Sequence, residues 1–285
     1  MQLTALPRQI AAAGAVGALA FSALAIAPAA NAGVATNGYL CVNAVAGTVP
    51  VTVATDVTLP PTAPAGFDVP ADLLDVKNKV TISNADKGKF TAFGVTKVDM
   101  TDYKLTLGDV AVGAGSLAVA PSAFVDNGNG TSTADINGKN AAFTTPAAGT
   151  YVVSAPTTFK LLATLGSGQN AEFVCNSTAA PTSVGSVTID DNESITTAKA
   201  RAVEAGMPAK VKVKVVAPNE VPTGKVIAQI GSKRVARGVV NAKGRVVLEV
   251  KAKFLTQASN KVKVKYLGDD YTGTSKTKVF VKVKG

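Results

Sequence analysis

Three runs in the second half of the chain alternate apolar residues with lysine. They are Lys210-Val211-Lys212-Val213-Lys214-Val215, Lys261-Val262-Lys263-Val264-Lys265-Tyr266 and Lys278-Val279-Phe280-Val281-Lys282-Val283-Lys284. Successive side chains of a β-strand point to opposite faces, so each run makes one apolar and one cationic face. The same patterning predicts strands at 194–200, 209–217, 225–230, 232–236, 245–252, 261–266 and 277–284. Seven short strands with regular turn spacing predict an immunoglobulin-like sandwich.

Upstream the alternation is weaker but of the same kind. Candidate strands are 39–44, 49–59, 80–83, 90–93, 104–107, 110–112, 141–143, 151–154, 159–164 and 171–175, rich in Thr, Val and Phe and separated by Gly, Pro, Asn or Asp. Pro60, Pro61 and Pro64 make 60–66 a stiff loop, because proline cannot enter a central strand. Residues 70–75 could form one helical turn behind Pro70, and nothing else argues for a long helix. Ala179-Ala180-Pro181-Thr182-Ser183-Val184-Gly185 and the acidic Asp190-Asp191-Asn192-Glu193 read as a linker. The expected fold class is therefore all-β, two β-sandwich domains in tandem, the second immunoglobulin-like. Its parts are a signal peptide at 1–32, an N-terminal domain at 33–178, a linker at 179–193 and the second sandwich at 194–285.

The signal peptide rests on Arg8, a small-residue apolar segment over 10–28 and Ala30-Asn31-Ala32, a cleavage site of the Ala-x-Ala type. The alternative is a membrane anchor, for which the Ala/Gly-rich segment is weakly apolar. Cleavage leaves no transmembrane segment, and no cysteine follows the site. The end of the chain carries neither an apolar tail nor a Leu-Pro-x-Thr-Gly signal. The expectation is a secreted protein, free or held to the envelope non-covalently. Cys41 and Cys175 are the only cysteines, and in an oxidising compartment the simplest reading is a disulfide; two buried thiols are the alternative.

Charge divides the chain. Residues 33–188 hold 8 Lys, no Arg and 11 acidic residues, a net of −3, whereas 189–285 hold 20 Lys and Arg against 8 acidic residues, a net of +12. The cationic surface residues are Lys210, Lys212, Lys214, Lys261, Lys263, Lys265, Lys278, Lys282 and Lys284. Such a surface favours anionic partners and is sensitive to salt. It also serves to keep sheet edges soluble and unpaired, so the two readings stand side by side.

The residue inventory excludes much chemistry. With no histidine there is no His-based acid–base pair, Ser-His-Asp triad or His-liganded metal. Neither a Gly-x-Gly-x-x-Gly turn nor a phosphate loop is present. Paired carboxylates remain available, but glycan sites also call for aromatic platforms, and the chain has no Trp and five Tyr. The expectation is no enzyme, no cofactor and no specific nucleic-acid partner. Asp126-Asn127-Gly128-Asn129-Gly130 lacks the closing Glu of a calcium loop and reads as a turn. One acidic group is a calcium candidate. Asp190, Asp191 and Glu193 of the linker would lie at the pole of the second sandwich, with Asp269, Asp270 and Glu220. The bland reading is solvated or lysine-paired carboxylates.

Two resemblances follow from particular residues. Tyr39-Leu40-Cys41, Phe143-Thr144-Thr145-Pro146 with Gly149, and Phe173-Val174-Cys175 resemble a domain of unknown function found in secreted actinobacterial proteins, over about 33–187. That resemblance implies that the cysteines bracket the domain. Pro222-Thr223-Gly224-Lys225-Val226 with Gly231, and Tyr266-Leu267-Gly268-Asp269-Asp270-Tyr271 with Ser275, resemble bacterial Ig-like domains. That family implies a surface spacer or adhesion module without enzymatic activity, although this copy is unusually cationic. Together these readings point to a secreted non-enzymatic envelope protein whose Ig-like domain meets an anionic wall polymer. A carbohydrate-binding accessory module and a spacer with no specific ligand are the alternatives.

Overall fold

The structure, a computed structural model, describes residues 33–115 and 117–285. The expected signal peptide, 1–32, lies outside the described residues. The first part of the chain forms β1 (Ala35–Asn43), β2 (Gly47–Val57), β3 (Thr62–Pro64), β4 (Asp68–Val69), β5 (Asp75–Ser83), helix α1 (Asn84–Ala92), β6 (Val95–Thr101), β7 (Lys104–Leu107) and β8 (Val110–Gly113). It continues through β9 (Leu117–Val119), β10 (Val125–Asp126), β11 (Thr131–Lys139), β12 (Phe143–Thr144), β13 (Gly149–Ser154), β14 (Thr158–Leu165), β15 (Asn170–Ser177) and β16 (Ser183–Asp190). The last part holds β17 (Ile195–Ala200), β18 (Val203–Glu204), β19 (Ala209–Val216), β20 (Lys225–Ile230), β21 (Lys233–Val239), β22 (Arg245–Val250), β23 (Ser259–Tyr266) and β24 (Ser275–Lys284).

Strand alternation decides which residues meet in the first core. Tyr39 and Cys41 of β1, Val49, Val51 and Val53 of β2, and Phe173 and Cys175 of β15 all point inward. The nine-stranded sheet has the order β10-β11-β5-β2-β1-β15-β14-β6-β9, and it faces a five-stranded sheet of order β3-β16-β13-β7-β8. Tyr39 and Tyr103 both meet Phe159 edge to face, at centroid distances of 4.8 and 5.4 Å. Cys41 lies directly opposite Cys175 in the β1–β15 ladder, and the two are joined by a disulfide.

The second core is separate, built from Val211, Val213 and Val215 of β19 with Leu248, Val262, Val264, Tyr266 and Val281. A three-stranded sheet, β17-β19-β22, packs over a five-stranded one, β18-β24-β23-β20-β21. This is the expected immunoglobulin-like sandwich, and all seven expected strands are present within a few residues.

Four local expectations need correction. Within 60–66, expected as a loop, Thr62–Pro64 form β3, which pairs parallel with β16 at the edge of its sheet, where proline is tolerated. Residues 90–93, expected as a strand, close helix α1. Ser83 caps that helix: its hydroxyl accepts from the Asp86 N–H at 3.0 Å and donates to the Asp86 carboxylate at 2.6 Å. Phe90 then turns inward against Phe173. Residues 70–75 form no helical turn, because Asp72 adopts a φ of 65° that bends the chain the left-handed way. Residues 183–190, inside the expected linker, form β16, paired antiparallel with β13 and parallel with β3. Val184, Val187 and Ile189 are buried there, so the segment belongs to the first core.

Candidate functional site

The alternation that buries valines on β19 and β23 puts their lysines outside, and cross-strand register then sets which cations stand together. On the five-stranded sheet, Lys265 of β23 lies opposite Lys276 of β24 and, on its other side, Ile227 of β20, which lies opposite Arg237 of β21. One step along, Lys263 lies opposite Lys278 and Gln229, and Gln229 opposite Arg234. Two transverse rows result, each reading Lys–Lys–neutral–Arg. Lys261 and Lys282 extend the same face, with exposed Phe280 opposite Lys261, and Lys284 lies at the strand end. Strand geometry sets the rows about 6.7 Å apart and neighbouring strands about 4.8 Å apart.

The three-stranded sheet carries a second cationic face, on the opposite side of the sandwich. Lys212 lies opposite Lys199, Lys214 opposite Arg245, and Lys210 opposite Glu249. The nine lysines singled out from the sequence therefore divide between two faces, three on one and six on the other. Lys199, Arg234, Arg237, Arg245 and Lys276 join them only through register, which no single strand reveals.

Like charges directly opposite on a sheet destabilise it. Here four such pairs persist: Lys263–Lys278, Lys265–Lys276, Lys199–Lys212 and Lys214–Arg245. Among the described residues every ion pair lies elsewhere, joining lysines and carboxylates between Asp75 and Glu172. Among the described residues the cationic faces carry no ion pair, and register places Glu249 across from Lys210.

The acidic candidates have different neighbours. The linker end and the β23–β24 loop do converge, but an amide joins them. Asn192, buried, takes Tyr271 O through its backbone N–H at 2.9 Å, and its carbonyl accepts from Gly273 N at 2.9 Å. Its side-chain NH2 reaches Ala65 O at 2.7 Å in the first part of the chain and Tyr271 O at 3.0 Å. Its side-chain oxygen accepts from Asn219 Nδ2 at 2.9 Å. Ala148 N donates to Asp270 O at 3.0 Å, and Tyr271 packs against the first core.

Asp269 sets the shape of this loop. Its carboxylate accepts from Thr223 N and Oγ1, the Tyr266 hydroxyl and Tyr271 N. Partial burial pushes its carboxyl up, but those four donors outweigh it and hold the pKa at about 2. Burial, and then the bond to Asp269, push the Tyr266 hydroxyl up. Asp191 packs beside Gly273, and Asp190 closes β16 with its carbonyl accepting from Ala65 N. Among the described residues no three acidic or cysteine side chains gather closely enough to hold a metal ion. The Asp126–Gly130 segment is a hairpin turn in which the Asp126 carboxylate accepts from Gly128 N. Hydrogen bonds from Asn84 and Gly128 keep that carboxyl low.

The first core encloses an apolar cavity of about 50 Å³ between the sheets. Asn140 and Thr145 at its wall are bonded to backbone, to Leu74 N, Pro70 O, Phe67 N and Pro64 O among others, so they are structural. No described helix is long and apolar enough to cross a membrane.

No curated protein matches the chain. A solved structure from Corynebacterium diphtheriae, described as membrane anchored, is similar at a TM-score of 0.39 and 15% identity, over 87% of this chain and 58% of its own. The adhesin InvE of Yersinia pseudotuberculosis gives 0.30 and 12%, over 86% and 60%. Fibronectin(III)-like modules of Clostridium thermocellum CbhA give 0.27 and 17%, over 78% and 89%. The chain thus spans under two thirds of the first and second of these, and likeness at this level says nothing of activity. The model of a family of unknown function, DUF6801, matches residues 38–192, from β1 through the segment expected as a linker to Asn192. The chain belongs to that family.

Proposed function

We propose that the protein is a secreted, non-enzymatic component of the bacterial envelope whose cationic Ig-like module holds anionic wall polymers by charge. The disulfide-closed first domain would present a separate surface. The observation that carries this reading is the set of four like-charge cross-strand pairs on faces without ion pairs. Such pairs cost stability, and an anionic polymer laid across them would turn the cost into attraction.

The competing reading, that lysine merely guards sheet edges, accounts for only part of the register. Edge protection calls for lysine on edge strands. Here β19 lies between β17 and β22, and β23 between β24 and β20, so two of the three lysine-rich strands are interior, whereas β24 is bordered on its outer side only by the two-residue β18 at Val283 and Lys284. A glycan-binding role finds little support from tyrosine: Tyr39, Tyr103 and Tyr266, three of the five, are buried and spend their hydroxyls inside the fold.

The test is co-sedimentation of the mature protein with purified cell walls before and after removal of their anionic polymers. Retention is expected only on intact walls and should be lost near about 1 M salt, where the Debye length falls to about 3 Å. Retention on stripped walls, or at that salt, would overturn the reading.

A further inference from the structure

Strand β21 contains a bulge with a chemical consequence. Its partners on β20, Ile227 and Gln229, are two residues apart, yet they face Arg237 and Arg234, which are three apart. On a regular strand, residues three apart point to opposite faces. The extra residue resets the alternation: Val235 turns into the core, and both arginines stay outside. Bulges re-aim side chains in this way, often beside functional sites. Gly238 lets β21 lie close over β22, since a Cβ there would stand 2.6 Å from Val246 Cγ2.

Arg234 and Arg237 line, together with Lys225, a concavity of about 580 Å³ floored by Ile227, Val239 and Leu267. No acidic residue borders it, and none of the three cations has an ion-pair partner within the described residues. Elsewhere on this face the charges are mostly lysines; here two arginines line one concavity.

We infer that this groove is a discrete site for a phosphate group carried on a larger molecule. The inference rests on the polyanion reading above and narrows it to one place. Guanidinium forks bind oxyanions through paired hydrogen bonds, which an ammonium cannot reproduce. Three unneutralised cations suit a phosphomonoester, at about −1.5 to −2 charges, better than a single carboxylate. The apolar floor receives the uncharged portion beside the phosphate. A terminal phosphate of a wall polymer and the headgroup of a phosphatidic acid share this chemistry.

The experiment measures binding of the mature full-length protein at about 0.15 M salt, where surface attraction over distances beyond about 8 Å is screened. The probes are short glycerol-phosphate oligomers ending in a phosphomonoester, phosphatidylcholine vesicles doped with phosphatidic acid, and succinate as a dicarboxylate control. Arg234→Lys with Arg237→Lys keeps the charge and removes the forks. Lys212→Gln with Lys214→Gln removes two charges from the opposite face. The arginine variant is expected to lose at least about tenfold in affinity for whichever phosphate probe binds, and the lysine variant less than about threefold. Lys225→Gln, a milder change at the same groove, should lose several-fold. Binding to the oligomers identifies a polymer source, and binding to the vesicles alone a lipid source; both support the site. Equal losses in the two double variants, or succinate binding as tightly as the phosphates, would overturn it. Unaltered retention of the arginine variant on walls would then leave the broader charge reading standing, whereas failure of the wild type to bind walls would remove that reading instead.

Discussion

Replacing Lys263 with Glu separates what the cationic face costs the fold from what it does. Lys263 sits in the middle of β23, opposite Lys278, with Lys261 and Lys265 two residues away on the same face. Two unit charges about 6 Å apart in water repel by about 0.7 kcal/mol, and screening over a Debye length of about 10 Å roughly halves that. Reversing one sign turns repulsion into attraction at each of three neighbours. The gain in stability should be about 1–2 kcal/mol at low ionic strength, allowing for the small propensity difference between Lys and Glu on an exposed strand face. Urea unfolding followed by circular dichroism and tyrosine fluorescence reads this directly, because the chain has no tryptophan. The gain should shrink towards zero near about 1 M salt, and the same variant should bind anionic polymer more weakly. A variant less stable than wild type at low salt would show that Lys263 serves the fold, and would refute the reasoning from like-charge pairs.

Three further outcomes are expected. Asn192→Ala removes three side-chain hydrogen bonds at a buried junction, each worth about 0.5–1.5 kcal/mol, and should destabilise the chain by about 2–4 kcal/mol; a urea midpoint equal to wild type would contradict this. Asp269 has a folded pKa near 2 against 3.8 when free, so its contribution is complete above about pH 5 and is lost as pH falls through 2. Allowing for its partial exposure, that contribution is about 1–2 kcal/mol, and Asp269→Asn should flatten the acid limb of a stability–pH profile by this amount. Cys41 and Cys175 are fully buried and 134 residues apart, so replacing both with Ala should cost about 4–5 kcal/mol in the chain-entropy picture. Rapid reduction of the wild type by thiols in native buffer would contradict the burial of that disulfide.

Legibility in the sequence followed how local the determinants are. The second sandwich is readable almost strand for strand, because the runs on β19, β23 and β24 alternate with a period of two and valine dominates their inward face. Helix α1 is hidden in the sequence because Phe90 and Phe93 look like strand residues; the signal that identifies it, Ser83 three positions before Asp86, is a capping device rather than a periodicity. β16 reads as linker in the sequence because Ser183, Gly185 and Ser186 are turn-forming residues locally. Its strand state comes from burying Val184, Val187 and Ile189 against a core assembled from distant segments. The lysines were visible one strand at a time, but the rows they form with Lys276, Arg234 and Arg237 depend on register and on a bulge that has no sequence mark of its own. The sequence also pointed to the junction between Asp190 and Tyr271, yet for carboxylates; the residue that joins it is Asn192, whose value lies in its ability to donate and accept at once.

The most direct test of the account is the affinity of the mature protein for purified anionic wall polymer, measured as a function of salt. Cationic faces with no ion pairs of their own should give a logarithmic affinity that falls steeply and linearly with the logarithm of salt concentration, with the slope reduced in Lys263→Glu. Affinity that is flat between about 0.05 and 0.5 M salt would contradict it.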